Sequence, residues 1–175
     1  MSARVPLNPL PAAYLSLGSN LDPERNLRSA AAALRERFGD VVFSTVLRTP
    51  PVGFDGPEFL NAAAIVRTDL DPYAFVAWLH GLESRQGRDR SGPRFSSRTL
   101  DIDIVFYDDL VIVPAPSSHL QLPRPELQHA FVLQPLAQIA PDLRDPLSGR
   151  TLAQLWAAHP QHATPLPVAT GIGAL

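Results

Sequence analysis

Cysteine and lysine are both missing from the 175 residues of this chain. Without cysteine there is no disulfide, no zinc–thiolate site and no thiol nucleophile, and the five histidines show no H-x-x-x-H pairing that would suggest zinc. Without lysine there is no Schiff base and no phosphate-loop lysine. Neither G-x-x-x-x-G-K-[ST] nor G-x-G-x-x-G occurs, so a nucleotide would have to be held in some other way. No stretch approaches the roughly 20 apolar residues that span a bilayer. After Arg4, Pro6, Pro9 and Pro11 interrupt the N-terminal stretch and leave no continuous apolar region for a signal peptide. A basic excess is lacking too: the formal net charge is -2, which argues against a general binder of nucleic acid or anionic lipid. The expectation is a cytoplasmic monomer with no nucleic-acid or membrane partner.

What is present suits one domain. With 45% hydrophobic residues, a chain of this length can bury roughly 70% of its unfolded surface without help from metal or disulfide. The expectation is a chain without a second fused enzyme. Residues 12–18 read as a strand, and Ser19, Asn20 and Asp22 lead to Pro23 at the first position of a helix over 23–38. Leu27, Ala30, Ala31, Leu34 and Phe38 recur there at helical spacing. The β-branched stretch 41–48 predicts a second strand, followed by a Pro- and Gly-bearing loop to about residue 57 and a strand over 58–67. Asp71 and Pro72 open a helix over 72–86, and a strand at 99–107 follows. The order β-α-β-β-α-β predicts an α+β fold, a ferredoxin-like antiparallel sheet with helices on one face and a C-terminal extension. A short strand at 110–113 is expected to form a hairpin through Asp108 and Asp109, and a helix near 126–138. Residues 159–175 read as a trailing cap or a tail partly without order.

Asp101 and Asp103 stand two apart in RTLDIDI, within a run that is otherwise Leu, Ile, Val and Phe. On a strand this spacing sends both carboxylates to one face, about 7 Å apart, and puts Leu100, Ile102, Ile104 and Phe106 on the other. Two acids so placed could share a divalent cation or a pair of them. By themselves they fit equally an edge strand with a solvated face, or a pairing of one Asp with Arg98. Just upstream, residues 84–98 carry Arg85, Arg88, Arg90, Arg94 and Arg98, one third of the arginines, among Gly, Ser and Pro. A polyphosphate needs divalent cations against some of its oxygens and guanidinium forks against the rest, and an Arg loop running into an acidic strand offers both. Such a loop could also close over a nucleotide and exclude water.

Six stretches then carry a resemblance: YLSLGSNL at 14–21, RTPPVG at 48–53, FLNAAAIV at 59–66, LESRQGRDR at 82–90, RTLDIDIVFY at 98–107 and AFVLQPLAQIAPDL at 130–143. In this order the chain resembles the 6-hydroxymethyl-7,8-dihydropterin pyrophosphokinase family of folate biosynthesis. The resemblance implies a ferredoxin-like α+β enzyme that transfers pyrophosphate from ATP to the pterin hydroxymethyl group and releases AMP. It implies that Asp101 and Asp103 hold two Mg²⁺ ions, that Asn61 bonds the pterin edge, and that Thr49, Pro50 and Val52 line the pterin pocket with Phe131 and Phe59 at its aromatic walls. Arg88 and Arg98 match the phosphate-binding, catalytic arginines. Arg94 matches a position in the mobile loop, and Glu83 matches an acidic position at the end of the second helix, where an exposed helical carboxylate is the plain alternative.

The chain departs from that family at two places. Phe95, Ser96 and Ser97 replace the usual Trp-Gly-Pro before RTLDIDI. Further on, Arg124 stands for a usual His and His129 for a usual Arg, in a motif one residue shorter; both positions touch ATP in the family, and Arg124 is expected to supply the missing charge. The rivals are a ferredoxin-like binding module using the Arg loop on phosphates, another two-metal transferase, and a family member that folds without turning over.

Overall fold

A computed structural model describes residues 9–51, 53–87 and 99–175. Among them β1 (Ala12–Ser19) leads to α1 (Pro23–Phe38), and β2 (Val41–Phe43) and β3 (Leu47–Thr49) precede β4 (Phe59–Arg67). Then come α2 (Pro72–Arg85), β5 (Asp101–Tyr107), a 3₁₀ turn (Pro125–Gln128), α3 (Ala130–Ile139) and α4 (Leu152–Ala157). The strands form one antiparallel sheet ordered β2-β4-β1-β5, with β3 also paired to β4. Pro23 opens α1 because its fixed φ suits the first turn and its missing N–H would have had no helical acceptor. Asp71 caps α2 by accepting the Ala74 N–H at 2.9 Å.

Helices cover both faces, not one. Leu27, Ala30 and Leu34 of α1 and Phe75, Leu79 and Leu82 of α2 close over Ala13, Leu15 and Leu17 of β1, Leu60, Ala62, Ala64 and Val66 of β4, and Ile102 and Ile104 of β5. On the opposite face Val132, Leu133, Leu136 and Ala137 of α3 and Leu152 of α4 pack with Ala63, Val105 and Phe106. The apolar stretch that follows the sheet core thus has a face of its own to bury.

Two irregularities decide which side chains reach that second face. Between β2 and β3 the register on β4 slips by one, since Phe43 faces Ala64 while Leu47 faces Asn61. The expected single strand 41–48 is therefore broken. Ser44 causes the break: its hydroxyl accepts the Ala63 N–H at 2.8 Å, a place otherwise held by strand backbone. One extra residue reverses the alternation, so Val46 joins the α1–α2 core and Thr49 turns to the other face beside Asn61. The second irregularity lies in β5. Leu15 faces Ile104 and Tyr14 faces Phe106, which leaves Val105 as the extra residue. Phe106 consequently packs with Val105 in the α3 core rather than with Leu100, Ile102 and Ile104, correcting the simple alternation.

After β5 the expected hairpin does not form. Asp108 takes a left-handed conformation (φ 45°) and its carboxylate accepts the Ala12 N–H at 2.9 Å, which ends the pairing. Ile112 bonds instead with Leu122, N–H to carbonyl in both directions. The helix expected near 126–138 is divided, since His129 is extended (φ -83°, ψ 139°) between the 3₁₀ turn and α3. The trailing residues pack: Ala169 is 6% and Ile172 3% exposed.

Candidate active site

At one end of the second sheet face, the register lines up three residues across three strands. Gly18 of β1 faces Asn61 of β4 on one side and Asp101 of β5 on the other. With strands about 4.8 Å apart, an amide and a carboxylate stand roughly 10 Å from each other across a glycine. A Cβ at Gly18 would lie 2.9 Å from Asn61 Oδ1 and 3.8 Å from Phe59 Cδ1, so the floor between them exists because this residue has no side chain. No functional role for Gly18 was read from the sequence; a glycine inside a strand pattern was the available signal.

On the β4 side Asn61 is buried, and its Nδ2 donates to Thr49 Oγ1 at 2.6 Å. That bond fixes which way the amide faces. Phe59 is half-buried and meets Phe54 edge-on at 6.3 Å, while Pro50 is exposed at the start of the loop. Asn20 ties that loop down by donating to the Pro57 carbonyl at 3.1 Å. Phe131, in the first turn of α3, packs against the core of the second face, with the His129 ring stacked on it at 5.2 Å and 6°.

On the β5 side Asp101 and Asp103 share the face, as the spacing requires. Asp103 pairs with Ser16 one step along the strand. Burial, reinforced by the neighbouring Asp101 charge, pushes the Asp103 carboxyl up to about 7; Arg124 opposes the rise, and Glu83 and Glu126 add to it. Arg124 owes its place to the β5 irregularity: its own N–H donates to the carbonyl of the extra residue Val105 at 3.0 Å. From there one guanidinium nitrogen lies 3.7 Å from Asp103 Oδ1 and the other donates to Glu126 Oε1 at 3.2 Å. Arg124 Nε and Glu126 Oε2 are buried with no hydrogen-bond partner. Glu126 is a second residue not singled out from sequence, because its meaning depends on where Arg124 points.

Glu83 is not the exposed helical carboxylate offered as its plain alternative. It is 1% exposed, and its Oε1 accepts the Ile102 N–H at 3.0 Å, capping the outer edge of β5. Val52, Arg88, Arg94 and Arg98, with Phe95, Ser96 and Ser97, lie outside the described residues. Of the residues expected in the site, Thr49, Phe59 and Asn61 come together on one side, and Asp101, Asp103 and Arg124 on the other.

This donor set can be tested for a divalent cation. Among the described residues no three His, Asp or Glu converge as a protein cage. Two carboxylates whose mutual repulsion and burial raise one of them fit Mg²⁺, which keeps several waters and is held by one or two carboxylates together with substrate phosphates.

The chain matches the family described as 7,8-dihydro-6-hydroxymethylpterin-pyrophosphokinase (HPPK) over residues 14–141. It is 37% identical over 147 residues to the 2-amino-4-hydroxy-6-hydroxymethyldihydropteridine pyrophosphokinase of Synechocystis, covering 82% of this chain and 73% of that protein. With the enzyme of the same name from Pseudomonas aeruginosa it is 39% identical over 155 residues, 84% of this chain and 91% of that one. Among solved structures, an HPPK-DHPS in complex with substrates superposes at a TM-score of 0.68 with 13% identity over 86% of this chain. The Plasmodium falciparum HPPK-DHPS with SDX-DHP gives 0.66 with 14% identity over 87%. The chain spans 43% and 45% of those two longer chains, and at such identity the likeness is one of fold.

Proposed function

The chain belongs to the 7,8-dihydro-6-hydroxymethylpterin-pyrophosphokinase family and is a pyrophosphokinase of folate biosynthesis, and from that premise we propose how its residues divide the work. ATP is the co-substrate. The pterin hydroxymethyl oxygen attacks the β-phosphorus, the bond from that phosphorus to the α-phosphate oxygen breaks, AMP leaves, and the hydroxyl proton is released to solvent. The observation that carries the assignment is the row Asn61–Gly18–Asp101, which puts an oriented amide and an acidic pair on one face with open floor between them.

In this reading Asn61, held by Thr49, bonds the pterin edge, while Pro50 and Val52 line the pocket and Phe59 and Phe131 enclose the ring. Asp101 and Asp103 would hold two Mg²⁺ ions, whose charge would neutralise phosphate oxygens and polarise the attacked phosphorus. Arg88, Arg94 and Arg98 take the phosphates, and Arg124 and His129 complete the ATP contacts. Arg124 is supported by its place 3.7 Å from Asp103. Glu83 acts on the nucleotide side through β5, whose Ile102 N–H it holds. The residues need only position and neutralise, since phosphoryl transfer places little covalent demand on the protein.

The strand order β2-β4-β1-β5 with α1 and α2 on one face supports a ferredoxin-like core, extended at its C-terminal end by α3, α4 and the trailing residues. We read the whole chain as a single pyrophosphokinase domain acting as a cytoplasmic monomer. No helix among the described residues is long and apolar enough to cross a membrane.

Incubation with Mg²⁺, ATP and 6-hydroxymethyl-7,8-dihydropterin, followed by identification of the nucleotide product, tests the reading. AMP formed only when the pterin is present is the expected result. ADP would indicate an ordinary kinase, and the absence of either product would overturn turnover altogether.

A further inference from the structure

β3 is three residues long, too short to hold itself against β4, yet it carries Thr49, whose hydroxyl orients Asn61. Its outer edge is closed by a segment beyond the span that the family match covers. The Arg48 N–H donates to the Pro167 carbonyl at 2.9 Å, the Ala169 N–H donates to the Val46 carbonyl at 2.8 Å, and Leu47 faces Val168 between them. Just before this pairing, the Gln134 side chain clamps Leu166 at both ends: Oε1 accepts its N–H at 2.8 Å and Nε2 donates to its carbonyl at 3.1 Å. Gln134 lies three residues after Phe131 on α3, close to one helical turn. Beyond the pairing, Ala169 and Ile172 are buried against the α1–α2 core, and the Arg28 guanidinium donates to the Ile172 carbonyl.

One short segment therefore grips two elements, β3 and α3, that are far apart in sequence and pack on each other. We infer that residues 166–172 form a positioning strap for the substrate pocket. By pairing with the free edge of β3 and holding α3 next to Phe131, the strap sets the separation between the Thr49–Asn61 wall and the Phe131 wall. The inference rests on the assignment of that pocket to the pterin. Its physical content is preorganisation: a wall already ordered in the free protein does not have to be ordered when the ring enters. Asp101, Asp103 and Arg124 lie on the β5 side and do not depend on β3, and His129 precedes α3 five residues before Gln134, so the effect falls on the pterin rather than on ATP.

Two variants release the strap without touching a residue of the site. Gln134→Ala removes the clamp on α3, and Ala169→Pro removes the N–H that bonds Val46. The wild-type enzyme is assayed first; if it forms no pterin-dependent AMP, the functional reading fails and the strap is not at issue. Given that activity, both variants should raise the KM for the pterin about five- to ten-fold and leave kcat and the KM for ATP within about two-fold. Hydrogen exchange should show faster exchange at the Arg48 amide, the group the strap protects. If Ala169→Pro loses cooperative unfolding, Gln134→Ala decides alone. An exposed Arg48 amide with an unchanged pterin KM overturns the inference, as does an equal rise in both KM values. Retained protection of Arg48 in the folded variants overturns it as well, because the strap would then not be what holds β3.

Discussion

A side chain at position 18 would put its first carbon 2.9 Å from Asn61 Oδ1. Asn61 has little room to retreat, because its amide is buried and bonded to Thr49 at 2.6 Å. Gly18→Ala should therefore turn the amide away from its working orientation and raise the KM for the pterin about ten-fold, a loss visible in steady-state kinetics with ATP saturating. Asp103 poses the opposite problem, a charge kept where the fold would do better without it. It is partly desolvated beside Asp101, and the single described counter-charge, Arg124, is 3.7 Å away and shared with Glu126. In EDTA at pH 8, Asp103→Asn should unfold at a higher temperature than the wild type, and assayed with Mg²⁺ it should lose at least about 10²-fold in turnover. The gain is moderated by solvent, since the Asp103 side chain is 36% exposed. A lower unfolding temperature would show that the carboxylate stabilises the fold.

Elements set these residues in place through departures from regular alternation. Ser44 takes the Ala63 N–H at 2.8 Å and so inserts the extra residue that turns Thr49 toward Asn61. Ser44→Ala strands that N–H and should cost about 1–2 kcal/mol, measured by urea unfolding, together with a weaker hold on the pterin. The helices and most strands were legible because burial imposes a period that single residues report, as Leu27, Ala30 and Leu34 do for α1. The break at 44–46 and the extra Val105 were not, because a register slip is a property of two strands and only one is read at a time. Phe106 was put on the wrong face for that reason. In the site, the acids, Asn61 and Thr49 were legible from their motifs, and their convergence follows from the register. Gly18 works through an absent atom and Glu126 through Arg124, so neither announces itself by residue type; Glu83 was named from its motif, but its hold on a backbone N–H nineteen residues away is a property of the fold.

For the molecule as a whole, the missing lysines and cysteines leave the phenol as the side-chain type with an ordinary value near 10, because arginine keeps its proton. Burial raises Tyr107 and Tyr14 above the ordinary value of 10.0, and the Tyr107 hydroxyl donates to the Leu70 carbonyl at 2.7 Å. A folded value above the unfolded one means that the stabilisation is intact below about pH 10 and is lost as the pH rises through the folded value. Denaturant unfolding should accordingly be flat from about pH 8.5 to 10 and fall beyond it, with a gentler fall in Tyr107→Phe. The same slope in both proteins would exclude Tyr107 as its source.

The carboxylate of Glu83 has one more effect. An outermost strand ordinarily exposes a row of unmatched backbone groups on which another chain can build. Along β5 the Ile102 N–H is taken by Glu83 and the Val105 carbonyl by the Arg124 N–H, and the strap occupies the far side of β3. At the opposite border of the sheet stands β2, only three residues long. The contacts that arrange the site also keep the sheet finite, so a substitution that removed Glu83 would expose a growing edge for self-association as well as loosening the strand that carries the acids.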